Sequence, residues 1–297
     1  MQRRSAESNG LLLGLGAYGI WGFFPLYFPL LAPSSATEVL AHRIVWSFVF
    51  MIAVNSAFRL WAPVRDAIAT PRIRRLLFLA AVLITVNWGV YIWAVQHDHV
   101  VEAALGYFMT PLLSVALGIV AFGERLRRPQ WVALGIGAAS LIVLAIDAHS
   151  VPWIGLILAL SFGAYGLVKK LANVEAMTSL TIETAFATPI ALVYLVHLEA
   201  TGSLAFLHTS TGHTLTVLTT GIVTAVPLLG FSAAAVRIPL STLGLLQYIT
   251  PVLQFILGIL VFHERMSALR WLGFACLWLA LLVYSTDMVR HTRARRA

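Results

Sequence analysis

Residues 110–131 read TPLLSVALGIVAFGERLRRPQW and residues 250–271 read TPVLQFILGILVFHERMSALRW, and the two stretches align without a gap at an offset of 140. Ten of the 22 positions are identical: Thr110/Thr250, Pro111/Pro251, Leu113/Leu253, Leu117/Leu257, Gly118/Gly258, Ile119/Ile259, Phe122/Phe262, Glu124/Glu264, Arg125/Arg265 and Trp131/Trp271. Apolar composition supplies matching leucines by chance, but not Thr-Pro, Glu-Arg and Trp in one register. A second echo, Gly16-Ala17-Tyr18-Gly19 against Gly163-Ala164-Tyr165-Gly166, extends the similarity toward the start of each half. The chain is therefore read as a duplication, with halves at 1–146 and 151–297.

Both copies lie in apolar surroundings. Of the 297 residues 60% are hydrophobic and only 11% charged, and the mean hydropathy is +0.87. That leaves too little polar surface to coat a water-soluble globule. The class is an all-α membrane protein in a lipid bilayer. A crossing takes roughly 20 apolar residues, and the polar breaks divide the chain into ten expected spans: 11–31, 37–58, 76–96, 100–122, 130–146, 151–170, 178–198, 214–235, 240–262 and 270–286. A signal peptide is rejected for the first segment, because the run from Leu11 to Leu31 is long for an h-region and contains Trp21, Pro25 and Pro29.

Charge sets the expected orientation. With the N-terminus cytoplasmic, alternate loops and tails on that side hold 17 of the 20 Lys and Arg residues, the other side holds Arg265 and Arg270, and Arg43 falls inside the second span. This bias places both termini in the cytoplasm. Ten spans divided into two fives give an odd number per half, so the second half enters the membrane inverted. Two inverted halves can open a central site to one side and then the other. The segment from Arg59 to Arg75 mixes arginines with Leu60, Trp61 and Ile68, and reads either as an amphipathic interfacial piece or as a solvated basic loop.

Several chemistries are excluded. The net charge of +8 resides in short clusters between apolar runs, which suits anionic lipid and not nucleic acid. Lys169 and Lys170 are followed by Lys and Leu, so there is no phosphate-binding loop and no built-in ATPase. His97-Asp98-His99 does not define a metal site, His263-Glu264 lacks the second histidine of HExxH, and Gly230-Phe231-Ser232 lacks the later glycine of a nucleophile elbow. No catalytic residue, cofactor or metal is expected, and the lone Cys276 forms no internal disulfide.

The sharpest candidates are His42 and Arg43, roughly 9 Å into the second span at about 1.5 Å per residue. An ionisable residue at that depth faces protein or a wet cavity. Arg43 is read as binding an anionic or carbonyl group of a solute, with Glu38 or Glu102 as partners; the competing reading is an ion pair that locks two helix ends. Glu183, inside the seventh span, is the candidate for proton coupling, since a desolvated carboxylate can titrate near neutral pH. Tyr18, Trp21, Asn87, Trp88, Tyr91, Tyr107, Thr110, Tyr165, Gln247, Tyr248 and Thr250 are candidates for a cavity lining, with helix packing as the alternative for each; among them Asn87, Trp88, Tyr91, Tyr107, Tyr165, Gln247 and Tyr248 join His42 and Arg43 as substrate-binding candidates. Pro111 and Pro251 form an expected pair of hinges. Small residues at Ala133/Gly137 and Gly135/Ala139 favour close helix packing, and could also support a homodimer.

The paired Pro…Gly…Glu-Arg…Trp segments, the Leu105-Gly106-Tyr107-Phe108 approach to Thr110-Pro111, and the run Glu38-Val39-Leu40-Ala41-His42-Arg43-Ile44-Val45-Trp46-Ser47 resemble the EamA-type drug/metabolite transporters, and within them the RarD-type permeases. The resemblance covers nearly the whole chain. It implies ten transmembrane helices in two inverted repeats, a bacterial inner membrane, and export of small organic solutes or metabolites. The second half departs from the first where Gly123 becomes His263, Gly106 becomes Leu246, and Arg127-Arg128-Pro129 becomes Ser267-Ala268-Leu269. The competing reading is a membrane sensor or structural partner that retains the transporter fold.

Overall fold

The computed structural model describes residues 2–122, 127–148, 152–235, 237–238 and 246–294. Among them every regular element is helical. The helices are α1 (Gln2–Gly22), α2 (Phe24–Tyr27) continued by a 3-10 turn (Phe28–Leu31), α3 (Ala36–Phe58), α4 (Trp61–Ala69), α5 (Pro71–Gln96), α6 (Val100–Phe122), α7 (Arg128–Ala148), α8 (Trp153–Ala172), α9 (Ala176–Ala200), α10 (Thr211–Ala235), α11 (Ile249–Leu260) and α12 (Ala268–Ala294).

Among the described residues seven helices are long and apolar enough to cross a membrane, or eight if Ser8–Gly22 and Phe24–Leu31 form one bent span. The fourth expected span, 100–122, coincides with α6, and the described part of the ninth includes α11. The first expected span is not straight: it bends by 46° at Phe23. Pro25 and Pro29 explain the break, because each lacks an amide donor and the Pro29 ring opposes the carbonyl of Pro25, so the chain tightens into the 3-10 turn.

Local signals account for the helix ends. Ser35 caps α3 by accepting the Glu38 amide at 3.3 Å, a Ser-x-x-Glu start. Arg59 and Asn173 close α3 and α8 in the left-handed conformation, at φ 56° and 50°. Between Arg59 and Arg75 the chain forms α4, whose Val64 and Ala67 are buried against Leu77, Ala172 and Ile182. The segment is thus an amphipathic helix and not an open loop.

The helix pairings follow a pattern. α3 packs on α9 and α10, α5 on α8 and α9, α1 on α10 and α11, α8 on α6, α6 on α11, and α7 on α12. Three of these pairs are visibly antiparallel. Thr37 near the start of α3 bonds Tyr194 late in α9 at 2.7 Å, while Asn55 near the end of α3 donates to Thr181 early in α9 at 2.9 Å. Glu264, just beyond α11, accepts the Val101 amide at the start of α6 at 3.0 Å. At the two ends of the α7/α12 pair, Arg127 donates to Asp287 at 2.9 Å and Arg270 to Asp147 at 3.2 Å.

Close approach depends on glycine at two crossings. A Cβ on Gly221 of α10 would stand 2.3 Å from the Trp46 carbonyl oxygen of α3, and one on Gly106 of α6 would stand 2.8 Å from the Gly155 oxygen of α8. On α7 one of the two small-residue pairs packs within the chain: Ala133 is fully buried and a Cβ at Gly137 would meet Leu112, whereas Gly135 and Ala139 are exposed. The outside of the bundle is apolar, with Ile142, Ile190, Val193, Val196 and Leu282 all exposed. So much exposed hydrocarbon is stable in lipid and not in water, and helices satisfy their own backbone there.

Candidate functional site

Arg43 sits in the first third of α3 and is only 4% exposed. Its Nε donates to Thr224 Oγ1 of α10 at 2.7 Å. Its guanidinium carbon lies 4.2 Å from the Trp88 ring centroid, 5.3 Å from that of Phe24 and 5.8 Å from that of Phe28. The phenols of Tyr27, Tyr91 and Tyr107 lie within its electrostatic reach. Nη1 is buried and has no acceptor among the described residues, and the Tyr91 hydroxyl is buried and unbonded in the same way. Four elements, α2 with its 3-10 turn, α3, α5 and α10, thus build an aromatic box around one cation.

Neither expected carboxylate reaches that cation. Glu38 Oε1 instead accepts the amides of Ala205 and Phe206 at 3.1 and 3.0 Å, because the left-over donors of that loop are the nearer claim on it. Glu102 is partly exposed and faces His99 at 3.6 Å. His42, one residue before Arg43, is turned by about 100° of helix and meets the Phe206 ring at 4.5 Å. It stands 3.9 Å from Glu38, and both its ring nitrogens are buried without a hydrogen-bond partner among the described residues. His42 therefore belongs to the contact between α3 and the 201–210 loop, away from the box.

The remaining candidates divide. Asn87 is a bridge: its amide nitrogen donates to Leu158 O and Ser161 Oγ, both at 3.0 Å, and its oxygen accepts from Tyr107 at 3.1 Å. It ties α5 to α8 and α6 and so fixes Tyr107. Glu183 of α9 is 2% exposed and heavily partnered: Lys169 Nζ donates at 2.9 Å, Tyr165 Oη at 3.0 Å, and Ser179 Oγ closes the set. A narrow crevice of about 10 Å³ is lined by Ile44, Ile84, Thr85, Trp88, Glu183, Thr184 and Ala187, so Glu183 and the Trp88 wall of the Arg43 box border the same small space. Gln247 and Tyr248 lie in a turn before α11, outside both clusters, with Tyr248 packed against a separate core of α6, α7, α11 and α12.

Of the hinge pair, Pro251 is the third residue of α11, which follows a turn at Gln247 and Tyr248; its amide position is among the first-turn donors that any helix leaves unpaired, so proline fits a helix start there. The side chain of Pro111 lies outside the described residues, as do Glu124 and Arg125. Pro189 in α9 and Pro227 in α10 are the prolines the sequence reading missed; both are inside helices. Thr224, Lys169, Ser179 and Phe24 were missed as well. The threonines of α10 recur at 216, 220 and 224, a polar stripe on one face of an apolar helix, and that spacing could have found Thr224. Arg43 and Glu183 also stand 140 residues apart, so the repeat places opposite charges at one equivalent position, whereas Asp147 and Asp287, at the same offset, carry like charges.

Helices with an apolar exterior and two buried charges on crossing neighbours define a polytopic α-helical membrane protein. The EamA-like transporter family model matches residues 8–146 and 150–286, and the chain belongs to that family of membrane transporters. It is 50% identical to Protein RarD of Streptomyces exfoliatus, over 100% of this chain and 94% of that protein. It is 42% identical both to Protein RarD of Escherichia coli, covering 95% of each chain, and to the uncharacterized transporter YojE of Bacillus subtilis, covering 99% of each. A solved crystal structure at 18% identity superposes with a TM-score of 0.63, over 95% of this chain and 98% of that one, and speaks for the fold alone.

Proposed function

We propose that the chain is a secondary transporter that exports small organic solutes or metabolites across the bacterial inner membrane by alternating access. Ten membrane helices form two inverted five-helix halves, with both termini cytoplasmic. The observation that carries the reading is the pairing pattern. Exchanging the halves turns α1 on α10 into α8 on α5, α1 on α11 into α8 on α6, and α3 on α10 into α9 on α5, while α3/α9, α6/α11 and α7/α12 map onto themselves. The antiparallel contacts of those three pairs fit an inversion.

In this reading Arg43 and Glu183 are the two polar centres, one in each half. The contact of Glu38 with Ala205 and Phe206 closes the outer end, and the contact of Lys169, Tyr165 and Ser179 with Glu183 closes the inner end. Opening one set at a time gives access from one side at a time. Arg43 binds an anionic or carbonyl group of the solute, and Glu183 couples the cycle to protons by exchanging Lys169 for a proton.

The test has two stages. Metabolite-wide efflux and uptake are compared between a deletion strain and its complement to find the solute. Counterflow of that labelled solute is then measured in proteoliposomes. Counterflow that is lost on cross-linking α3 to the 201–210 loop supports the carrier; a chain that binds solute but shows no counterflow refutes it.

A further inference from the structure

A guanidinium held out of water costs several kcal/mol, and the return comes from partners. Arg43 has one neutral hydroxyl, Thr224, and three rings. Each ring contributes on the order of 0.5–2 kcal/mol. Among the described residues no carboxylate pairs with it, and Nη1 is left as a buried donor without an acceptor. The Tyr91 ring lies 5.8 Å from the Phe28 ring that faces Arg43, and its hydroxyl is a second buried group without a partner among the described residues. Tyr107 is spent on Asn87. The box therefore presents one positive charge and two unsatisfied donors.

A carboxylate fits this set. It carries the missing charge, and it offers two acceptor oxygens for donors of this kind. A neutral carbonyl compound would leave the charge uncompensated, and a cation would add to it. The surroundings also specify the rest of the molecule. Phe24 forms one wall of the box and also lines a groove of about 420 Å³ beside α1, together with Gly16, Gly19, Phe23, Tyr27 and Val223. A Cβ on Gly16 or Gly19 would meet nothing within 4 Å, so the groove floor is open. Its lining is almost wholly apolar.

We propose that the Arg43 box takes the carboxylate of an amphipathic organic monoanion, whose aryl or alkyl tail passes Phe24 into the groove between α1 and α10. The assignment names the solute class of the transporter reading and rests on that reading for the claim that solute reaches the box.

Binding is measured without flux, as the shift in melting temperature of the purified full chain with phenylacetate, hexanoate, acetate, phenylacetamide and phenethylamine. Phenylacetate and hexanoate should give saturable rises, acetate a smaller one, and the amide and the amine none. Arg43→Gln should weaken phenylacetate on the order of 10- to 100-fold, the loss of one charge-assisted hydrogen bond. Tyr91→Phe removes a hydroxyl from the same site with little change of shape and should weaken it about threefold to tenfold, which keeps the test open if Arg43→Gln does not fold. Gly19→Leu fills the groove and should weaken hexanoate but not acetate. The proposal is overturned if no carboxylate raises the melting temperature, if phenylacetamide binds as tightly as phenylacetate, or if neither Arg43→Gln nor Tyr91→Phe changes the affinity. Unchanged hexanoate affinity in Gly19→Leu overturns the tail placement. Anion binding without counterflow would sink the carrier reading and leave this site standing; counterflow of a neutral solute without anion binding would do the reverse.

Discussion

Replacing Glu264 by Gln turns a titrating cap into a neutral one of the same shape, and the structure sets the pH at which the two proteins part. The carboxylate follows α11 and accepts the Val101 amide at the start of α6 at 3.0 Å. Burial dominates its titration and pushes its pKa from 4.5 up to about 7; the Val101 and Val100 amides and Arg270 pull the other way, and Asp98 adds to the rise. Below about pH 4.5 the carboxyl is protonated in both folded and unfolded chains and contributes nothing to the pH dependence. Between there and about pH 7 the unfolded chain loses its proton first, so stability falls as pH rises; above that the full cost is present.

At about 1.36 kcal/mol per pH unit the gross cost is roughly 3 kcal/mol. Glu264 is partly open to solvent, which screens it, and about 1–2 kcal/mol is the discounted figure. Gln keeps the acceptor for Val101 and has no charge to desolvate. Melting temperatures in detergent should therefore nearly coincide near pH 5, and the Glu264→Gln protein should be the more stable near pH 8. A wild type that gains on the variant as pH rises, or curves that coincide at both values, refutes the reasoning.

Gly221→Ala should lower the melting temperature, at a cost of about 1–3 kcal/mol, because the added carbon meets the Trp46 backbone oxygen and not a movable side chain; an unchanged melting curve would mean that α3 and α10 part freely. The Arg127–Asp287 and Arg270–Asp147 pairs are partly exposed, so a double-mutant cycle on either should return less than about 1 kcal/mol, while removing both should loosen α12 in hydrogen exchange. Glu183→Gln removes the counter-charge of Lys169. If Glu183 is the coupling group, transport by that variant should lose its dependence on a pH gradient, and a gradient dependence equal to wild type assigns coupling elsewhere.

The legible part of the fold came from hydrocarbon patterning. Where the apolar runs fall on described residues they are almost wholly helical, because an apolar run in lipid has few other ways to satisfy its backbone. The ends were less secure where two prolines share a span, at Phe23, and where a proline begins a helix, at Pro251. In the candidate site the sequence pointed to Arg43 and Glu183 because charge in an apolar run stands out. It misassigned the partner of Arg43. Glu38 is five residues from Arg43 and looked like its counter-ion, yet its carboxylate is held by amides 167 and 168 residues away.

Composition, hydropathy and the 140-residue repeat were enough to establish a helical membrane protein of duplicated sequence, since those properties are sums over the chain and need no coordinates. Which face each buried charge presents, and to what, was decided only in the tertiary structure. Successive residues on a helix point about 100° apart, so His42 and Arg43 enter different surroundings: one meets a loop, the other an aromatic box of three other elements. A hydrogen bond reaches only a few ångströms, and the Thr224 that claims Arg43 is 181 residues away along the chain.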